Sequence, residues 1–329
     1  GQNLGAFISN QGFISLSDPS WCHRMLGTPI GYAIANLSSF MKLSGITFII
    51  ITLVLVLLKK EKPLPSNEEP SGIRETYEQI FSLLKLSPVQ SLLLVLLTYK
   101  LSFAPADSVA QFKMQEYGMP KTDYAMLSPI TLIISLILPA LVANWANRDP
   151  LGAISWALPW KLLTTGVYWF LVKAVPYIYL QEGSADTQES NFFNIKFIGF
   201  YLGLLLIMIS HVTLDSVIFC SFMSFFNKIS DPAIGGTYMT FLNSASNLGF
   251  KWTNSLAIWA TGQLTFRGHS TIIDIDGYTV VTFLCVIYGI FWLFYIFPIF
   301  KRLNNVKRSD WMVRRSTTVT GTGTSMESE

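Results

Sequence analysis

The feature that most restricts this chain is the recurrence of apolar runs long enough to cross a bilayer. The stretches SSFMKLSGITFIIITLVLVLL at 38–58 and YTVVTFLCVIYGIFWLFYIFPIF at 278–300 are two of them. About 20 apolar helical residues span a hydrocarbon core ~30 Å thick, and lipid offers no partner to an unpaired backbone group. Such runs dictate helices, and several in one chain dictate an all-α, polytopic membrane protein. Charged residues make up 13 % of the sequence, against ~25 % in a soluble domain. The 24 Phe, 13 Tyr and 9 Trp fit the same class, because amphipathic rings favour the membrane interface.

Eight spans are expected: A at 1–16, B at 38–58, C at 89–110, D at 123–144, E at 154–177, F at 197–226, G at 233–262 and H at 278–300. Cytoplasmic loops collect Lys and Arg, which orients the chain. If A begins in the cytoplasm, that side holds fourteen cations, including Lys59, Lys60, Arg148, Lys161 and the group from Lys301 to Arg315. The opposite side holds five: Arg24, Lys113, Lys121, Lys196 and Arg267. This orientation is the expected one.

Between B and C the chain turns charged, then Pro-rich, then amphipathic, with Ile73, Tyr77, Ile80, Phe81 and Leu84 at helical spacing. Residues 59–88 therefore read as a cytoplasmic linker ending in a surface helix. Six spans follow within 89–302, and 303–329 read as a cytoplasmic tail, polar enough beyond 316 to be disordered. Six plus six spans joined by a long linker is the plan of the major facilitator superfamily. On that plan 1–58 hold the last two spans of the first half, the chain carries about eight of twelve spans, and four more are expected upstream.

Polar groups inside spans mark where such a protein works. Span C holds Lys100 near mid-depth and Asp107 seven residues on, with Pro105 between them. Two readings stand for Lys100: a structural pair with Asp107 or a carbonyl, and a cavity-facing cation that attracts an anion. Span F holds His211 and Asp215 four residues apart, either a packing histidine or a group handling substrate or protons. Span G stacks Asn243 over Asn247 and continues that face with Lys251; interhelical hydrogen bonding is the plain alternative to a cavity lining. Spans E and H read as oily, lipid-facing helices beside polar C, F and G.

Motifs for other chemistries are missing. The sequence has no Walker loop, HExxH, GxSxG or paired metal-ligand spacing. Its three cysteines, Cys22, Cys220 and Cys285, are too scattered for a disulfide framework or zinc site. The sequon at Asn36 lies too close to span B to be a glycan acceptor. Neither a cofactor nor nucleic acid is expected.

The segment SDPAIGGTYMTFLNSASNLG followed by Trp252 closely resembles the acetyl-coenzyme A transporters of the endoplasmic reticulum membrane, solute carrier family 33. GQNLGAF at the start, TPIGYAIANLSSF, KLSFAPADSV in span C and the Asp-Gly-Tyr at Asp276 to Tyr278 support it, so the likeness runs nearly the whole chain to Trp311. It implies a major facilitator protein, multi-pass in that membrane, carrying cytosolic acetyl-CoA into the lumen. Lys100, Asp107, His211, Asn243 and Asn247 fall where the family pattern has the same residue types, whereas Asp215 and Lys251 match nothing in it. The ligand has a diphosphate, a 3′-phosphate and an adenine. Lys100 and Lys251 are candidates for the phosphates, Trp252 and Tyr238 for the base. The expected partners are acetyl-CoA, the bilayer, upstream spans of the same protein and a second copy of the chain. A permease for another large polar solute, such as a muropeptide, is the alternative transporter; a membrane-bound acyltransferase with His211 as base is the alternative class.

Overall fold

The computed structural model describes Gly5 and residues 13–17, 19–29, 31–58, 73–179, 195–231, 234–266 and 276–312. Span A falls mostly outside them, as do the linker from 59 to 72, residues 180–194 and the tail beyond 312. In the described residues the short helices α1 (Phe13–Ser17) and α2 (Pro19–Leu26) precede α3 (Leu37–Leu58). Asn36 starts α3: its Oδ1 accepts from the Ser39 N–H (2.8 Å) and the Ser39 hydroxyl (2.7 Å), so the sequon asparagine is a helix cap. No residue of α3 is buried. A helix apolar on every side and unburied in protein is suited to lipid.

The amphipathic helix α4 (Ile73–Leu84) meets α5 (Ser87–Thr98) at 91°. Leu83 points into the core while Tyr77 and Phe81 stay exposed, the division expected of a surface helix. Span C is not one helix. After α5 the chain tightens into a 3-10 turn at Tyr99–Ser102, loosens into a π turn at Pro105–Val109, and resumes as α6 (Ala110–Glu116). Pro105 cannot donate a backbone bond to the preceding turn, and past it the Ala110 N–H reaches back five residues to the Pro105 carbonyl. Gly118, at φ 102°, then turns the chain in a conformation other residues avoid.

Four long helices follow span C's end: α7 (Lys121–Arg148), α8 (Pro150–Tyr179), α9 (Ile195–Ile229) and α10 (Gly235–Gln263), and then α11 (Gly277–Asn304) closes the bundle. Among the described residues four stretches qualify as spans by length and apolar composition, in α3, α7, α9 and α11, and the bent α4–α5 pair makes a fifth. Helices α8 and α10, with 30 and 29 residues, are long enough to cross but not apolar enough, because each carries a polar face. That is where the structure departs from the expected eight.

Helix α8 overturns one expectation outright. Span E reads as oily and lipid-facing, and Lys161 as a cytoplasmic cation. Instead α8 packs against α6, α7, α9 and α11, and Lys161 is fully buried with Thr165 beside it. Trp156, Trp160, Leu163 and Phe170 occupy the opposite, exposed side. The helix is two-faced, and its aromatic residues mask the polar face in the sequence. Without Lys161 the cytoplasmic cations number thirteen against five, and the asymmetry keeps its sign.

Among the described residues most buried apolar side chains fall into two clusters. One holds Leu92, Phe103, Leu158, Leu162, Leu214, Phe222 and Trp311; the other holds Ala104, Met114, Tyr168, Leu204, Met208 and Tyr278. On three elements that enter both, the break falls beside the charged residues: between Phe103 and Ala104, between Leu162 and Tyr168, and between Met208 and Leu214; on α10 and α11 it falls between Leu242 and Ala257 and between Cys285 and Trp292. A thin ionic layer divides the core at mid-bundle.

Candidate functional site

Five titratable side chains make that layer: Lys100 from the 3-10 turn, Asp107 from the π turn, Lys161 from α8, and His211 and Asp215 from α9. Lys100 Nζ lies 3.0 Å from Asp215 Oδ1 and 3.6 Å from Asp107 Oδ2. Lys161 Nζ donates to Asp215 Oδ1 and stands 3.5 Å from Asp107 Oδ1. His211 Nε2 is 2.6 Å from Asp107 Oδ1 and 3.6 Å from Asp215 Oδ2. Two carboxylates thus share two ammonium groups and an imidazole. Burying any of these charges alone would be prohibitive, and their mutual contact makes the layer tolerable.

Exposure separates an inner from an outer pair. Lys161 and Asp107 are 0 % and 6 % exposed at the side chain, whereas Asp215 is 36 % exposed. Asp215 and Lys100 reach a cavity of about 410 Å³, which Asn243, Ser246, Asn247 and Phe250 of α10 also line. Aromatic rings flank the cation: Lys100 Nζ is 5.6 Å from the centroid of Tyr99 and 5.4 Å from that of Phe250. The size is that of a small-molecule site. Its wall combines a cation, a carboxylate, two amides and ring faces.

The broken helix makes this possible. In a regular helix Lys100 and Asp107 share a face by their seven-residue spacing; here the chain between them unwinds and refolds, yet the two side chains still meet. Helix α10 approaches closely because Gly249 has no side chain: a Cβ there would collide with the Leu96 backbone carbonyl. Trp252 fastens the contact, its Nε1 donating to the Leu97 carbonyl at 2.9 Å.

Of the eight candidate site residues, Lys100, Asn243 and Asn247 line the cavity, and Asp107 and His211 stand directly behind it in the ionic layer. The other three lie elsewhere. Tyr238 is fully buried in the apolar core. Trp252 spends its N–H on α5, and Lys251 is exposed with its ammonium beside the Phe250 ring at 5.7 Å. The sequence reading missed Lys161 as a member of the layer and left Asp215 without a role. A signal for Lys161 was present, since it falls well inside the run SWALPWKLLTTGVYWF.

Asp107, His211 and Asp215 also have the proximity of a metal-ligand set, with one ligand atom from each within 4.8 Å of the others. The donor chemistry does not fit a cation. Both ammonium groups already sit on Asp215 Oδ1 and approach Asp107, and a divalent ion among these carboxylates would face both positive charges at close range.

A second ionic group caps the bundle at one end. Asp276, the N-cap of α11, accepts from Thr279 Oγ1 (2.8 Å) and from Lys173 Nζ of α8 (2.7 Å), and pairs with Lys113 Nζ of α6 (3.2 Å). Burial alone would raise its carboxyl, but the hydrogen bonds from Lys173, Thr279 and Lys113 hold it well below the usual carboxylate range. The Asp-Gly-Tyr motif thereby ties three helices. Gly277 is required at its centre, because a Cβ would meet the Thr261 carbonyl of α10.

Comparison with known proteins agrees with this architecture. A family profile described as acetyl-coenzyme A transporter 1 matches residues 1–71, 64–155 and 188–270. An uncharacterized membrane protein of Saccharomyces cerevisiae is 24 % identical over 384 aligned residues, covering 94 % of this chain and 68 % of its own length. An uncharacterized protein of Schizosaccharomyces pombe is 24 % identical over 272, covering 82 % of this chain and 49 % of its own length. The chain thus spans between half and about two thirds of these relatives. No solved structure matches it. The profile takes in well over half of the residues, and the helices, the ionic layer and the cavity all lie within a membrane-type bundle: the chain belongs to the acetyl-coenzyme A transporter 1 family.

Proposed function

We propose that this chain forms part of a carrier that moves acetyl-CoA from the cytosol into the lumen of the endoplasmic reticulum, in exchange for CoA. The observation that carries the reading is Lys100, a cation at mid-bundle on the wall of a cavity, in a member of this family. A coenzyme A thioester is anionic through its phosphates, so its carrier needs a cation where lipid is excluded. Phe219, Phe250 and Tyr99 on the same wall offer ring faces for the adenine. Asn243 and Asn247, one helical turn apart, supply donors and acceptors for the amides of the pantetheine arm. The cavity's exposed side is completed by the other half of a twelve-span major facilitator fold, and transport proceeds as the two halves rock about it.

Ligand-induced thermal stabilisation of the purified full-length protein tests the assignment. Acetyl-CoA and CoA should each raise the melting temperature, an analogue without the 3′-phosphate less so, and a muropeptide not at all. Lys100→Ala should abolish the rise while leaving a folded protein. Equal stabilisation of wild type and Lys100→Ala, or stabilisation by the muropeptide alone, contradicts the reading. Acyl transfer by the detergent-purified protein, with no closed compartment, would favour a transferase instead.

A further inference from the structure

We propose that His211 is a proton-loading site whose charge is coupled to the anion in the cavity, so that a proton travels with the substrate. The inference rests on the cavity being the substrate's, and it starts from the charge count of the layer. Asp107 and Asp215 balance Lys100 and Lys161, which leaves the imidazole to decide whether the layer is neutral or carries one positive charge. Imidazole is the side chain that ordinarily changes charge near neutral pH.

The hydrogen bonds provide a place for the second proton. Nε2 faces only acceptors, Asp107 Oδ1 at 2.6 Å and Asp215 Oδ2 at 3.6 Å, so it bears a hydrogen. Nδ1 is 3.4 Å from the Thr164 hydroxyl. That hydroxyl has one proton, and it is directed to the Lys161 carbonyl at 2.7 Å. What Thr164 presents to the ring is therefore a lone pair. A ring with an acceptor at both nitrogens is a seat for imidazolium. The groups around it are Asp215 on its own helix, Lys161 and Tyr168 from α8, and Asp107 and Lys100 from the broken helix. Helix α7 adds Tyr124, bonded to Tyr168, whose ring meets the imidazole edge-on at 5.5 Å.

The coupling follows from shared partners. Lys100 serves Asp215 and lines the cavity with it, while His211 stands behind Asp215 and is itself buried. An entering anion draws on Lys100 and leaves Asp215 with less positive charge. A proton on His211 restores the balance, by an N–H bond formed on the ring with a proton from solvent in the cavity. Release of the anion reverses both. The Asp107 Oδ2 atom, buried and without a hydrogen-bond partner at present, can take Lys100 from its 3.6 Å distance in part of the cycle.

Calorimetry of CoA binding to the full-length protein at about neutral pH, repeated in buffers of different ionisation enthalpy, counts protons exchanged per ligand. Net uptake approaching one proton in wild type, lost in His211→Gln, is the expected result. Binding of CoA with no proton uptake, or the same uptake in the variant, overturns the proposal. If CoA does not bind at all, the substrate reading fails, and the site is read separately from the ligand-free protein. Nitrogen NMR of [15N]histidine, with His211→Gln identifying the signal, should show a hydrogen on Nε2 in the ligand-free protein and on both ring nitrogens with CoA bound. Thr164→Val, which removes the acceptor at Nδ1 and keeps the shape, should leave Nδ1 without a hydrogen when CoA is bound. A ring that stays neutral in one tautomer throughout, or is indifferent to Thr164→Val, overturns the assignment.

Discussion

Replacing Lys161 by methionine isolates the energetics of the ionic layer. The ammonium is fully buried, donates to Asp215 and lies 3.5 Å from Asp107. Methionine keeps most of the volume and apolar stem, so loss of packing is minor. Two buried carboxylates would then share one ammonium and an imidazole. Stranding one side of a buried ion pair costs about 3–5 kcal/mol. At roughly 2–4 °C per kcal/mol, the melting temperature should fall by on the order of 10 °C. Adding Asp215→Asn removes the stranded charge and leaves Lys100 opposite Asp107, so the double variant should regain more than half of the loss. Thermal melting of detergent-purified full-length protein, followed by size-exclusion chromatography, measures both. A Lys161→Met protein that loses no more than ~1 kcal/mol, the scale of a surface pair, would refute the reasoning. So would a double variant that melts as low as the single one.

Three further outcomes are expected. Gly249→Ala should force α10 away from α5, because the added Cβ meets backbone and not a flexible side chain; a loss of about 1–3 kcal/mol is expected, and an unchanged melting temperature contradicts it. Asp276 is held below the ordinary carboxylate range, so its contribution to stability is fully present above about pH 4 and is lost as the pH falls further. The wild type should therefore lose stability on acidification over that window more steeply than Asp276→Asn, and parallel melting profiles would exclude the mechanism. Tags placed in the linker at 59–72 and in the tail after 312 should both be accessible from the cytoplasmic side of sealed microsomes, as the thirteen-to-five cation asymmetry requires; protection of either one reverses the orientation.

Helix positions were legible because apolar periodicity and length are local. The expected ranges of B, D, E, F, G and H lie within a few residues of α3 and of α7 to α11. The break in C was signalled by Pro105 but not its form, since a π turn depends on what the surrounding helices supply. The ionic layer was half legible. Lys100, Asp107 and His211 are conspicuous as charges in apolar runs, and their mutual contact follows once the helices are placed. Lys161 was hidden by its neighbours: tryptophan and leucine on the exposed side of α8 give the segment an oily average that conceals a polar face. Its partner Asp215 lies 54 residues away, and no sequence period connects them. Trp252 and Lys251 sit next to the cavity wall in sequence, yet one indole N–H bonded to a neighbouring helix and one helical rotation are enough to take them out of it. Side-chain direction on a helix is set by what packs against it, which the sequence does not print.

The measurement closest to the central claim is counterflow in proteoliposomes containing the full-length protein. Vesicles loaded with unlabelled CoA should accumulate labelled acetyl-CoA transiently above the outside concentration, vesicles without CoA should not, and Lys100→Ala should remove the overshoot. Labelled acetyl-CoA that enters no faster than into protein-free vesicles would contradict the account, as would an overshoot untouched by the loss of Lys100.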